Sequence, residues 1–181
     1  MALIAASSVS VDGFIAGPDG DMSWLTPYLT DDPNPLVDGL VARTGAVLSG
    51  ARSHFGDDPH AGDPEHEGLY AGVWHGPEVV LTHRRPSGTV AGDVTYVDDL
   101  ATAVDLARRA AGDLDVSVVG ASLTGQLLAA GLLDELMVNW VPVVLGGGTP
   151  LLPEGPGARL DQIATYVGGG SVTARYRPRR D

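Results

Sequence analysis

The residues best suited to chemistry sit just behind glycine or threonine at the ends of apolar runs. Val116-Ser117-Val118-Val119 leads into Gly120-Ala121-Ser122-Leu123, then into Leu127-Leu128-Ala129-Ala130-Gly131. The pattern is a strand, a tight glycine turn, and a helix that Ser122 would cap and Gly131 would stop. Glycine lets a ligand's phosphates approach the backbone, and the free N–H groups and dipole at such a helix start favour an anion. Gly13, Gly50, Thr82 and Gly120 each follow a predicted strand. In an open α/β sheet the carboxyl ends of the strands converge on one ligand cleft, so these four positions should share it. Asp12, in the turn Ser10-Val11-Asp12-Gly13, is one acid that could supply a proton there.

The elements that must position these residues follow from hydrophobic spacing. Residues 2–9 read as a buried first strand, and the Gly-, Pro- and Asp-rich stretch from Ser10 to Asp21 reads as a loop at its carboxyl end. Residues 34–44 suit a short helix with Asn34 as cap and Pro35 in its first position, followed by a strand at Ala46-Val47-Leu48-Ser49. Val79–Thr82 and Val94–Val97 are further strands. Leu100, Ala103, Val104 and Ala107 mark an amphipathic helix, capped by Asp98 or Asp99 and ended by Arg108, Arg109 and Gly112. Two late strands are expected, from Glu135 to Leu145 and from Ser171 to Arg177, with Pro142 forcing a bulge or a sheet edge. Strands alternating with helices and then pairing late predict an α/β fold: a mostly parallel mixed sheet, antiparallel in its late strands, with helices on both faces.

Composition removes several classes of function. The chain has 181 residues, enough for one domain with a single core. There is no cysteine, hence no disulfide, thiolate metal site or cysteine nucleophile. All eleven basic residues are arginine, which excludes lysine Schiff-base chemistry. A formal net charge of -12 opposes general nucleic-acid binding. Arg175, Arg177, Arg179 and Arg180 form the one basic cluster and read as a solvated end, with residues 178–181 as a polar tail. Neither a Gly-x-Ser-x-Gly turn nor a Gly-x-x-x-x-Gly-Lys loop occurs. His54, His60, His66 and His75 lie among carboxylates, but their spacing fits no metal-binding pattern and the stretch reads as an acidic, mobile lid, so no metal is expected. The apolar runs are too short for a membrane span, and a cytoplasmic location with no membrane partner is expected.

Three blocks carry a resemblance: Ser8–Trp24, the strand-glycine-helix unit around Gly120, and Trp140-Val141-Pro142-Val143-Val144-Leu145-Gly146-Gly147-Gly148-Thr149-Pro150-Leu151. In this order, over roughly residues 3–176, the chain resembles the dihydrofolate-reductase-like superfamily, in the group related to the reductase domain of the bifunctional riboflavin-biosynthesis deaminase/reductase. The resemblance implies a single-domain three-layer fold, residues 1–177, and an oxidoreductase using NADPH on a small planar substrate such as a pterin or pyrimidine. Gly50-Ala51-Arg52-Ser53 matches the segment that holds the dinucleotide phosphates, and Thr82-His83-Arg84-Arg85 the segment that reads the adenosine ribose. Arg84 and Arg85 could there bind a 2′-phosphate by bidentate hydrogen bonds, favouring NADP over NAD. Cofactor contacts are thereby implied at Gly13, Ile15, Gly50, Arg52, Ser53, Thr82, His83, Arg84, Gly120, Ala121, Ser122 and Leu123. The proton is assigned to Asp12, to Asp32 in the tract Asp31-Asp32, or to a held water.

Two positions depart from the family pattern. Ala51 stands where an arginine is usual, and Val119 where a second glycine is common. Weakened NADPH binding, a flavin or deazaflavin in its place, or a noncatalytic binding or assembly protein that kept the fold are the alternatives these departures leave open. Apolar residues around Leu136, Val138, Trp140 and Val141, on a strand that Pro142 would place at an edge, join the dimers common in the family to imply a homodimer.

Overall fold

The computed structural model of the chain describes residues 1–29, 32–60, 62–63, 65–84, 93–153, 155 and 157–179. Among the described residues, ten strands and four α-helices alternate: β1 (Leu3–Ser10), β2 (Phe14–Ala16), α1 (Pro35–Arg43), β3 (Thr44–Gly50), α2 (Ala51–His54), β4 (Glu78–Leu81), β5 (Val94–Val97), α3 (Leu100–Ala111), β6 (Asp115–Val119), α4 (Ala121–Ala129), β7 (Glu135–Val141), β8 (Thr149–Pro150), β9 (Leu160–Gly168) and β10 (Ser171–Pro178). Eight of the strands form one sheet in the order β5-β4-β3-β6-β1-β7-β10-β9, while β2 pairs with β8. From β5 to β7 every neighbour is parallel; β10 and β9 are antiparallel.

Side chains alternate across the strands, so the sheet has two working faces. On one, Leu3, Ala5, Leu48, Val116, Val118 and Val138 meet α3 and α4 in the main core. Leu3, Leu48, Leu123 and Leu127 are essentially inaccessible to solvent. Each such leucine contributes about 1.5–3 kcal/mol of burial, which is what holds the helices against the sheet. On the other face a smaller cluster, Ile4, Leu40 and Met137 with Leu36, Val37 and Tyr70 beside them, seats α1 and leaves the rest of the sheet open.

Helix starts are set by short polar side chains, as the sequence suggests. Asn34 accepts from the N–H groups of Leu36 and Val37 at the head of α1, and Asp99, the nearer of the two expected caps, accepts from Thr102 at the head of α3. At α4 the expectation fails. Gly120, at φ +115° and ψ +132°, is the cap and Ser122 lies inside the first turn, because the chain turns at the one residue free to adopt that conformation.

Other expectations also need correction. The stretch after Ser10 contains the short strand β2 and two 3₁₀ turns as well as loop. β7 stops at Val141, so Pro142 stands beyond it, and β7 is an interior strand between β1 and β10. The edge strand on that side of the sheet is β9, which the sequence reading did not place. Its hairpin to β10 turns on Gly169 and Gly170, both at positive φ, the backbone a tight two-residue turn requires. The basic residues are no tail. Arg175 and Arg177 lie in β10 and pair with the buried Glu135 of β7, and Arg179 pairs with Asp161. Arg180 and Asp181 lie outside the described residues. The part of the expected lid over residues 65–77 is fastened as well, through the Tyr70 hydroxyl bonded to Ser117 and the Trp74 indole N–H donating to the Thr44 carbonyl at 2.9 Å.

Candidate active site

A cleft of about 2020 Å³ opens on the face of the sheet away from α3, between α1, residues 15–29, 51–60 and 68–73, and the carboxyl ends of β3, β4 and β6. A pocket for one drug-sized ligand needs roughly 300–1,000 Å³. The cleft is therefore larger than one such ligand requires.

Most residues singled out in the sequence reach this cleft. Ile15, Arg52, Ser53, Thr82 and Arg84 line it, as do Gly120, Ala121, Ser122 and Leu123. Gly13, Gly50 and His83 do not, and Arg85 and Asp31 lie outside the described residues. The central feature is the meeting of two strand-to-helix corners, β3 into α2 and β6 into α4. A Cβ placed on Gly120 would come within 2.7 Å of the Ser53 hydroxyl and 3.6 Å of the Gly50 nitrogen. A glycine at 120 lets the two corners pack this closely, since a side chain there would run into the Ser53 hydroxyl. Arg52 and Arg84 are exposed beside it and form no ion pair among the described residues. Val119 stays in register opposite Ser49 as ordinary strand, so the departure there leaves the turn at Gly120 intact. Thr82 is buried and closes its own turn, accepting from the Arg84 N–H at 3.0 Å.

The two acids part company. Asp12 does not line the cleft. Its carboxylate accepts from the Ser10 hydroxyl at 2.7 Å and from the N–H groups of Leu145 and Gly146 at 3.1 and 2.7 Å. The Ser10 bond first, then these backbone bonds, pull its pKa down to about 2. Held on both oxygens and off the cleft, this carboxylate is not placed to serve a reaction there; it fastens the glycine loop after β7 to the end of β1. Asp32 is exposed, lines the cleft, and accepts no hydrogen bond among the described residues. Of the apolar pair before it, Met22 lines the cleft while Trp24 does not; the Trp24 indole N–H is buried without a partner among the described residues.

Two polar groups along the cleft escaped the sequence reading. Glu78 accepts from the Ser49 hydroxyl at 2.6 Å and from His54 Nδ1 at 3.0 Å, and His54 Nε2 meets the Tyr96 hydroxyl at 2.9 Å. Desolvation and the neighbouring Glu78 charge raise the Tyr96 pKa. The His54 ring thus bridges Glu78 and Tyr96 through its two nitrogens. The second group is a polar row on the open face, Ser8, Asn139 and Thr173, directly opposite one another on β1, β7 and β10. The single asparagine inside Leu136-Met137-Val138-Asn139-Trp140-Val141 was its available signal. No group of three or more His, Asp or Glu among the described residues could hold a metal ion, and no helix among them is long and apolar enough to cross a membrane.

An eight-stranded sheet ending in an antiparallel hairpin, with the cleft at its carboxyl edge, is the dihydrofolate-reductase-like fold of the riboflavin-biosynthesis reductases. The family model of the RibD C-terminal domain matches residues 1–172, and the chain belongs to that family, whose members are of reductase type. The uncharacterized protein YyaP of Bacillus subtilis (strain 168) is 29% identical over 154 residues, covering 82% of this chain and 79% of YyaP. Among solved structures, Acinetobacter baumannii RibD superposes with a TM-score of 0.68 at 18% identity, covering 99% of this chain and 58% of that one. The Saccharomyces cerevisiae riboflavin biosynthesis reductase Rib7 superposes with a TM-score of 0.64 at 15% identity, covering 98% and 90%.

Proposed function

We propose that the protein is an NADPH-dependent reductase acting on a small planar substrate, a pterin, a pyrimidine or a related heterocycle. The observation that carries this reading is the convergence of the Gly50 and Gly120 corners on one cleft larger than a single small ligand requires. The residues present fit the cofactor: a glycine at 120 lets the two corners approach as closely as they do, a Cβ there meeting the Ser53 hydroxyl at 2.7 Å, and two guanidinium groups without an ion pair among the described residues line the same cleft. The backbone at Ala121, Ser122 and Ser53 would hold the diphosphate, with Arg52 beside it, while Arg84 would take the 2′-phosphate. When bound, NADPH supplies the hydride. The chain's part is to orient two planar groups against each other and to keep water from between them, which lowers the barrier without a nucleophile. Asp32, exposed on the cleft wall, or a water it holds, brings the proton. A small molecule is the partner in this reading.

A second copy of the chain is the other partner in this reading, for a reason different from the one the sequence suggested. β7 is not an edge, but Val167 and Val172 are 72% and 38% exposed and sit in one cross-strand row with the half-buried Trp140. This exposed apolar row is the face we assign to the contact between two copies.

Titration of the pure protein with NADPH and with NADP⁺ by calorimetry tests the main reading. Saturable binding is expected, and no binding of either at millimolar concentration overturns it. Arg84→Ala should weaken NADPH more than NADH, by about 1.5–3 kcal/mol for a charged hydrogen bond lost. Equal losses would show that Arg84 does not read the 2′-phosphate.

A further inference from the structure

The polar row on the open face has a fixed direction, and that direction decides what the substrate end of the cleft can bind. It begins at the helix cap. Asn34 Oδ1 accepts from the N–H groups of Leu36 and Val37, so the Asn34 amide cannot be turned around, and its Nδ2 must face Thr173 Oγ1, 2.8 Å away. Thr173 is wholly buried. Having accepted from Asn34, its hydroxyl donates to the acceptor on its other side, Asn139 Oδ1, at 2.9 Å. That fixes the second amide, and Asn139 Nδ2 donates to Ser8 Oγ at 3.3 Å. Ser8 has then accepted and has donated to nothing among the described residues.

Ser8, Asn139 and Asn34 all line the cleft, whereas Thr173 lies behind its wall. The next strand braces the row: Tyr166, opposite Thr173 on β9, donates its hydroxyl to the Pro33 carbonyl at 2.8 Å and so holds the cap where it is. We infer that this ordered chain makes Ser8 a hydrogen-bond donor into the cleft, selecting a planar heterocycle that turns a carbonyl oxygen or unprotonated ring nitrogen toward β1. The inference rests on the reading of the cleft as a reductase site with a place for a planar substrate. Ser8 is the specificity-determining contact; Asn34, Thr173 and Asn139 are positioning residues that act through it.

The same logic predicts a reversal from a distance. Asn34→Asp keeps the cap, because a carboxylate accepts from the same N–H groups, but it replaces the donor facing Thr173 by an acceptor. Thr173 would then donate to the new carboxylate, the Asn139 amide would turn over to donate to Thr173, and its oxygen would take the Ser8 proton. Ser8 would offer the cleft only lone pairs.

Quinoline and indole are suitable probes, fused planar rings of similar size, one only an acceptor and the other only a donor. Titrations followed through the Asn139 side-chain amide resonances should show wild type binding quinoline about tenfold more tightly than indole, the effect of one hydrogen bond made or left unmade. Ser8→Ala should remove that preference, and Asn34→Asp should reverse it. NADPH titrated into the same three proteins should bind equally. Equal affinity for the two probes in wild type, no perturbation of Asn139 by either, or an unchanged preference in both variants would overturn the inference. Loss of NADPH binding in wild type with the probe preference intact would instead strike the reductase reading alone.

Discussion

Replacing Gly120 with alanine should destabilise the protein by about 1–3 kcal/mol, nearly all of it backbone strain, since a residue forced into a glycine-only region costs that much. Gly120 has φ +115° and ψ +132°, where a side chain is strained whatever the space around it. The new methyl would also stand 2.7 Å from the Ser53 hydroxyl, but only 3.7 Å from Ser53 Cβ. The close contact is therefore with the end of a short side chain, and rotation of Ser53 to another staggered position relieves it for less than roughly 1 kcal/mol. Strain outweighs the clash. For a domain of this size about 2 kcal/mol corresponds to roughly 4–8 °C in Tm. Urea and thermal unfolding of Gly120→Ala, Ser53→Ala and the double variant separate the two contributions. The double variant should recover little of the loss. Full rescue would place the cost in the contact, and a Gly120→Ala protein within about 0.5 kcal/mol of wild type, the scale of an ordinary surface change, would refute the argument.

Two further outcomes follow from the fold. Asp115 is buried at the start of β6, which raises its pKa, but the Arg43 guanidinium at 2.8 Å, the Ala2 N–H and the terminal ammonium outweigh that and leave it below the ordinary value. Its contribution is therefore present above the unfolded pKa of about 3.9 and lost as pH falls through the lower folded value. Asp115→Asn should cost roughly 1–3 kcal/mol at pH 7, and urea midpoints should show the penalty shrinking in strong acid; a pH-independent penalty would contradict the assignment. Light scattering should give about twice the 18.6 kDa chain mass, with Val167→Asp shifting the protein toward one chain; a wild-type monomer at every concentration would remove the dimer.

The features legible without the fold are local ones. Apolar spacing located β1, β3, β4, β5, β6, α1 and α3 to within a residue or two, because burial on one face imposes the period directly on the residues. Asn34 and Pro35 announced α1, since capping is a property of a few adjacent side chains. The phosphate-side residues were legible for the same reason: a strand, a glycine and a helix follow one another in the chain, and a family resemblance could attach to them.

Whatever depends on partners distant in sequence emerged only with the fold. Asp12 looked like a free acid in a turn, and only the return of Leu145 and Gly146 across the sheet showed it fastened on both oxygens. Ser122 looked like a cap, but the backbone at Gly120 turns two residues earlier. Trp140 looked like an edge residue until the pairing with β10 made β7 interior and moved the exposed apolar row to Val167 and Val172. The polar row was hidden most completely. Asn34 and Thr173 are 139 residues apart, and Ser8 and Asn139 are 131 apart. Local sequence sets which groups can donate or accept, but the order in which hydrogen bonds link them, and so the polarity a ligand meets, exists only once four separate segments share one face of the sheet.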